Sequence, residues 1–136
     1  AELKIPLAVE SRSRYEDVPN ESEMVRLQEH FKDNPWVAYW HDFGHVQLKH
    51  NLGFLDHDRW LEKMAPYLIG CHVHDVYWPD RDHRVPLTGE LNFEKLLRHV
   101  DPKLPLVWEL SPTRETDQIK EALQVWKAKF PETIGA

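Results

Sequence analysis

Residues Tyr67 to His83 read YLIGCHVHDVYWPDRDH, a short apolar run that ends in a cluster of polar side chains. The run follows Pro66 and is too short for an ordinary helix, so it predicts a buried β-strand. The imidazoles and carboxylates that follow are groups that bind metal ions or transfer protons. The stretch therefore predicts a strand that carries chemically active side chains at its C-terminal end.

Three other short apolar runs share these features, and helical patterns lie between and after them. Each run is flanked by Pro, Gly, Asn or Asp, which favours buried strands. The first helical pattern begins at Asn20, and Glu23 completes the spacing of a capping box. The predicted strands are Lys4 to Glu10, Trp36 to Asp42, Tyr67 to Val73 and Leu104 to Leu110, and the predicted helices lie within residues 20–33, 56–67, 92–100 and 115–130.

This alternation predicts an α/β fold of the order βαβαβαβα, with parallel strands joined by right-handed crossovers. No linker or low-complexity segment interrupts it, so we expect a single α/β domain over residues 1–136. A complete α/β barrel usually needs about 250 residues. The chain has half the elements of such a barrel.

Composition narrows the classes of partner and compartment. The formal net charge of -6 and the scattered Lys and Arg residues argue against nucleic acid. Cys71 is the only cysteine, which suits a reducing compartment. No apolar stretch approaches the roughly 18 residues that span a bilayer, and the start does not resemble a signal peptide. We expect a cytoplasmic protein without a membrane partner.

Each predicted strand carries a possible metal ligand at its C-terminal end. The C-terminal ends of parallel strands meet at one edge of the sheet, so these side chains are expected to converge. Three carboxylates and an imidazole suit a divalent cation such as Mn²⁺, Co²⁺, Zn²⁺ or Mg²⁺, and burying the carboxylates together is costly without one. The four candidate ligands are Glu10, Asp42, His72 and Glu109.

The histidines leave several alternatives open. His72 and His74 share a face of the strand, so the period of two does not decide which of them binds. His45 lies three residues after Asp42, and Gly44 between them permits a tight turn that would bring His45 into the same pocket. His41 points away from Asp42 and is expected to be structural. The solvated histidines are predicted to be His30, His50, His57 and His99.

The motifs AVES, HDFGH, HVHD, DHRVPLTGELNF and LVWEL, in this order and spacing, resemble the second half of the xylose isomerase-like TIM-barrel superfamily. That superfamily includes sugar and sugar-phosphate isomerases and epimerases and the endonuclease IV type of DNA-repair enzyme. The resemblance covers strands five to eight and helices five to eight of such a barrel. PLTG, at residues 86–89, departs from the Pro-Gly-Glu-Gly that is common there.

The resemblance implies roles for particular residues. Glu10, Asp42, His72 and Glu109 match the metal ligands, and Glu10 with Glu109 matches the pair of glutamates that exchanges a proton beside a substrate carbonyl through an enediolate. It matches His45 and His83 to histidines that contact the substrate, or further metals in the endonuclease branch, and the full set of candidate substrate-binding residues is His45, His74, Asp75 and His83.

Strands one to four of the barrel have no counterpart in this chain, and four open strands would expose two edges and an apolar face. We expect a homodimer or a complementary half-barrel to cover them. The favoured function is a metal-dependent isomerase or epimerase that acts on a small carbohydrate or sugar phosphate. The alternatives are a non-catalytic metal- or carbohydrate-binding half-barrel and, less favoured, an endonuclease IV-like enzyme.

Overall fold

A four-stranded parallel sheet with helices packed on it forms the centre of the protein, in a computed structural model that describes residues 4–134. The strands are β1 (Leu7–Glu10), β2 (Val37–Asp42), β3 (Leu68–Val73), β4 (Asp75–Tyr77), β5 (Arg81–Arg84) and β6 (Leu106–Trp108). The helices are α1 (Glu21–His30), α2 (Phe43–Asn51), α3 (His57–Met64), α4 (Phe93–Leu97) and α5 (Thr116–Lys129). The sheet has the order β1-β2-β3-β6, while β4 and β5 form a separate antiparallel hairpin. The predicted α/β fold with parallel strands is confirmed.

The predicted capping box starts α1. The Asn20 side chain accepts the Glu23 backbone N–H at 3.1 Å, and the Glu23 carboxylate accepts the Asn20 N–H at 2.9 Å. These two bonds satisfy amide groups that the first turn of a helix leaves free. Met24 and Gln28 are then buried against the sheet, where Gln28 Nε2 donates to the carbonyl of Ala38 at 3.0 Å.

Two elements do not follow from the apolar pattern. The segment after β2 was expected to be a tight turn at Gly44, but it is the helix α2, which starts directly after the strand because the Asp42 side chain caps it. Most of this short helix is buried, so it lacks the one-sided apolar stripe that marks a surface helix. The hairpin of β4 and β5 was also not predicted, since its strands are three and four residues long.

Helix α5 closes the core at the C-terminal end of the chain. Trp126 packs on Phe93 and Trp108, with ring centroids 5.1 and 5.7 Å apart, and Phe130 is also buried. Leu123 on the same helix is 36% exposed. No helix within residues 4–134 has the length and apolar character needed to cross a membrane.

Candidate active site

Four side chains from four parallel strands meet at one edge of the sheet. Glu10 ends β1, Asp42 ends β2, His72 lies near the end of β3, and Glu109 directly follows β6. One ligand atom from each lies within 4.8 Å of the others. The convergence expected from parallel strands is therefore present, and the roles of these residues as ligands and catalysts stay predictions.

The imidazole of His72 lies among the three carboxylates. Its Nδ1 is 2.9 Å from Glu10 Oε1, 3.3 Å from Glu109 Oε2 and 3.7 Å from Asp42 Oδ2. Asp42, with Glu10 and Glu109, raises the pKa of His72 to about 9 although partial burial opposes the charge. The 3.7 Å separation is too long for a hydrogen bond, so the effect of Asp42 is mainly Coulombic. One N–H thus faces three negative groups.

Asp42 is the most buried member of this cluster. Its Oδ1 accepts the backbone N–H of His45 at 2.7 Å, which is the cap of α2. Its Oδ2 is buried and has no hydrogen-bond partner within residues 4–134. Burial alone would raise the pKa of Asp42, but His72, His74 and His45 hold it well below its usual range, so the carboxylate is charged. A charged, unpaired and buried oxygen is costly unless a cation lies beside it.

The donor set fits a divalent metal ion. Three carboxylate oxygens and one imidazole nitrogen are the ligand types of Mg²⁺, Mn²⁺, Co²⁺ and Zn²⁺ sites, and a divalent charge balances the acidic cluster better than a proton on His72 does. The residues that could hold such an ion are Glu10, Asp42, His72 and Glu109. Glu10 and Glu109 are partly exposed, with side-chain exposures of 29% and 44%, so the site opens to solvent on their side.

A second group, formed by His45, His74 and His83, lies beside the first. The rings of His74 and His83 stack at 4.2 Å with an angle of 8°, so their in-plane lone pairs run parallel and do not converge on one point. The His83 backbone N–H also donates to His74 Nδ1 at 2.8 Å. His74 Nε2 lies 2.9 Å from Asp42 Oδ1 but is not aligned for a hydrogen bond. In this arrangement the three histidines do not form a metal site.

The four residues that were predicted around a substrate divide into two pairs. His45 and His83 are partly exposed at the rim of the carboxylate cluster, where His83 Nε2 is 3.7 Å from Glu109 Oε2. His74 and Asp75 are fully buried, which argues against the predicted contact of these two side chains with a substrate. Asp75 instead accepts three backbone N–H groups, from Val76, Gly89 and Leu91.

Ser11 is a site residue that pattern analysis did not single out. Its hydroxyl accepts the backbone N–H of Asp42 at 2.9 Å, and its carbonyl lies 3.0 Å from His45 Nδ1. It therefore ties the ends of β1 and β2 together beneath the cluster. Its position directly after Glu10, at a strand end, is the signal that could have identified it.

Gly44 is required for close packing rather than for a turn. A Cβ at this position would lie 1.9 Å from Cε1 of His74 and 2.3 Å from its Nδ1. The missing side chain thus leaves the space that the His74 ring occupies beside Asp42.

His57 is buried, so the prediction that it is solvated is wrong. Trp60 Nε1 donates to the hydroxyl of Tyr39, which lies 2.9 Å from His41 Nδ1, and His41 Nε2 lies 3.0 Å from His57 Nε2. His57 Nδ1 lies 2.9 Å from the Gln47 side-chain oxygen. These bonds all form when both histidines are neutral, with one N–H each, and burial lowers the pKa of His41 to about 3 and that of His57 well below its usual value.

Solved structures resemble this architecture closely. No protein-family model matches the sequence, and no curated protein does. A D-psicose 3-epimerase, solved in the presence of D-fructose, aligns over 91% of this chain and 49% of its own, with 16% identity and a TM-score of 0.64. The fold is xylose isomerase-like. A protein from Rhodospirillum rubrum named as a candidate xylose isomerase aligns over 95% of this chain and 46% of its own, with 18% identity and a TM-score of 0.61. The chain spans about half the length of both.

Proposed function

We propose that this protein is a divalent-metal-dependent isomerase or epimerase that acts on a sugar or sugar phosphate. The observation that carries the proposal is the buried, unpaired Oδ2 of Asp42, which lies within a cluster of three carboxylates and one imidazole. The xylose isomerase-like fold supports the proposal, because two proteins of similar structure carry the names of sugar-converting enzymes.

In the proposed reaction, Glu10 and Glu109 exchange a proton with the substrate. Glu10 ends β1 and Glu109 follows β6, the two outer strands of the sheet, so their carboxylates reach the centre of the cluster from opposite sides. One carboxylate removes the proton from the carbon next to the carbonyl, and the C–H electron pair forms the C=C bond of an enediolate. The same or the opposite carboxylate returns a proton, which gives an isomer or an epimer. A bound divalent cation would supply electrostatic stabilisation of the negative oxygen.

His45 and His83 would orient the substrate at the rim. Both are partly exposed, and His83 lies beside Glu109. Imidazole N–H and N atoms can hydrogen-bond sugar hydroxyls in either direction, which suits a polyol chain. Asp75 and Ser11 would act without touching the substrate, since they hold the backbone of the surrounding loops.

We propose that four further strands, from a second copy or from a complementary half, complete the barrel around this site. The strands β1 and β6 are the outer strands of the sheet, and Leu7 and Val107 on them are 69% and 46% exposed. Covering such edges removes an aggregation hazard and gives the site the walls that exclude water. This domain, residues 1–136, would then correspond to strands five to eight.

The test is proton exchange in deuterated water with protein loaded with Mn²⁺, Co²⁺, Zn²⁺ or Mg²⁺ in turn. Nuclear magnetic resonance would follow deuterium incorporation next to the carbonyl in a panel of ketoses, aldoses and their phosphates. We expect exchange with at least one sugar, and a loss of at least 100-fold in Glu109→Gln and Glu10→Gln, which keep the shape of the side chain. Glu62→Gln, at an exposed position on α3, is the matched control.

Metal binding is measured in the same samples. We expect His72→Ala and Glu109→Gln to weaken binding at least tenfold, while Glu62→Gln leaves it unchanged. Stoichiometric metal without exchange on any sugar would favour the non-catalytic binding module. An absence of both metal binding and exchange would refute the proposed site.

A further inference from the structure

We propose that Arg84 and Arg114 bind a phosphate group on the end of the substrate that is remote from its carbonyl. This inference rests on the proposed isomerase function of the same site and narrows its substrate class to sugar phosphates. It starts from a cavity of about 440 Å³ that borders the carboxylate cluster. Both arginines line this cavity together with Glu109, His83 and Ser111.

Neither guanidinium group forms an ion pair within residues 4–134, and the Nε–H of each has no acceptor there. The Nε atoms of Arg84 and Arg114 are buried and make no hydrogen bond within residues 4–134. The ion pairs of Lys and Arg among these residues involve other side chains, such as Arg12 with Asp17 and Arg98 with Asp58. A partly buried guanidinium without an ion pair is costly, so both positions favour an anion in the cavity that accepts from their terminal N–H groups.

The acidic side chains of the same cavity are already engaged. Asp82 lies 2.9 Å from His83 Nδ1, and Glu109 faces His72 at 3.3 Å. Neither carboxylate forms an ion pair with Arg84 or Arg114 within residues 4–134. The formal charges of the cavity lining balance, but both guanidinium groups are left without a direct anionic partner.

The surrounding structure holds both arginines in place. The guanidinium of Arg84 lies over the ring of Tyr77, 5.1 Å from its centroid. Arg114 belongs to a turn in which its backbone N–H donates to the Ser111 carbonyl at 3.0 Å and its Nη2 donates to Thr113 Oγ1 at 3.2 Å. The Ser111 backbone N–H donates to His83 O at 3.2 Å, which joins this turn to β5. An anion would thus meet donors that are already positioned.

The number of donors favours phosphate over carboxylate. Two guanidinium forks offer more N–H groups than the two oxygens of a carboxylate accept, whereas a phosphate monoester has three terminal oxygens. Glu109 borders both the cavity and the metal-ligand cluster. A sugar whose reacting carbon lies against Glu109 would therefore extend its phosphate towards the arginines.

The test is calorimetric titration of the full, Mn²⁺-loaded chain with D-fructose 6-phosphate, D-fructose and D-fructuronate. We expect the phosphate to bind at least tenfold more tightly than fructose. Arg84→Gln and Arg114→Gln should each remove most of this preference, and Arg114→Lys should retain part of it. Arg59→Gln, at an exposed position on α3, is the control and should keep the preference for the phosphate. The affinity for Mn²⁺ should stay unchanged in all variants, which excludes misfolding. A preference that is lost while Mn²⁺ still binds also excludes phosphate binding through the metal alone.

Equal affinities for the phosphate and fructose, or a preference that survives both Arg→Gln substitutions, would overturn the inference. Tighter binding of the fructuronate would also overturn it in favour of a sugar acid. A phosphate preference that depends on both arginines but comes without proton exchange on any sugar would support the phosphate site and refute the isomerase function. Exchange on sugar phosphates that is unchanged in both arginine variants would support the isomerase function and refute the phosphate site.

Discussion

The packing of Gly44 against His74 makes a prediction whose sign depends on the tertiary structure. Gly44 lies in the first turn of α2, where helix propensity favours alanine over glycine by up to about 1 kcal/mol. On that ground Gly44→Ala would stabilise the protein. A Cβ at this position, however, would lie 1.9 Å from Cε1 of His74, far inside van der Waals contact.

The expected cost exceeds the gain. Forcing an extra methyl group into a packed site costs about 1–3 kcal/mol. Moving the His74 ring away also breaks the hydrogen bond from the His83 backbone N–H, which contributes about 0.5–1.5 kcal/mol. We therefore expect Gly44→Ala to lower the free energy of unfolding by roughly 1–3 kcal/mol, after the helix gain is subtracted.

The assay is urea denaturation at pH 7 on a double-mutant cycle. His74→Ala removes the ring, so Gly44→Ala in that background should be neutral or stabilising by up to about 1 kcal/mol. The coupling between the two substitutions then reports the clash alone. If Gly44→Ala leaves the wild-type protein as stable as before, the close contact beside Asp42 does not exist.

Three further predictions concern the buried polar groups. Tyr39→Phe leaves the Trp60 N–H and a His41 nitrogen unpaired, so it should lower the free energy of unfolding in urea by about 1–3 kcal/mol. Tyr15 is exposed, and Tyr15→Phe should change stability by less than about 0.5 kcal/mol. The pKa of His57 is lowered by burial, so the unfolded chain binds a proton that the folded one does not. The contribution of His57 to stability is fully present well above the unfolded pKa of about 6.5, and it falls by up to about 2 kcal/mol as the pH drops from 7 to 5. A stability profile that is equally steep in His57→Gln would contradict this. Asp75→Ala leaves three backbone N–H groups without their acceptor and should cost about 3 kcal/mol or more, whereas Asp80→Ala, which is exposed, is the control whose equal loss would refute the role of Asp75.

Local pattern was sufficient to predict the four parallel strands, the helices α1, α3, α4 and α5, and the C-terminal ends of β1, β2 and β3, whereas β6 ends at Trp108 rather than at Leu110. Short apolar runs bounded by Pro, Gly and Asn specify strands, and the rule that parallel strands end at one edge brings Glu10, Asp42, His72 and Glu109 together. The capping box of Asn20 was predictable for the same reason, because its hydrogen bonds join residues three apart. The strands and the capping box depend on near neighbours in the chain, and the convergence of the four side chains follows from a general rule of parallel sheets.

Burial and side-chain partners depend on residues that are distant in sequence, and here the pattern failed. The period of two put His72 and His74 on one face, but β3 ends at Val73, so His72 lies among the carboxylates and His74 is buried in the space left by Gly44. His57 looks like a solvated helix residue until His41, sixteen positions away, becomes its partner. The unpaired state of the two cavity arginines is likewise a property of the packed molecule, because only folding determines which acceptors come within reach of a guanidinium group.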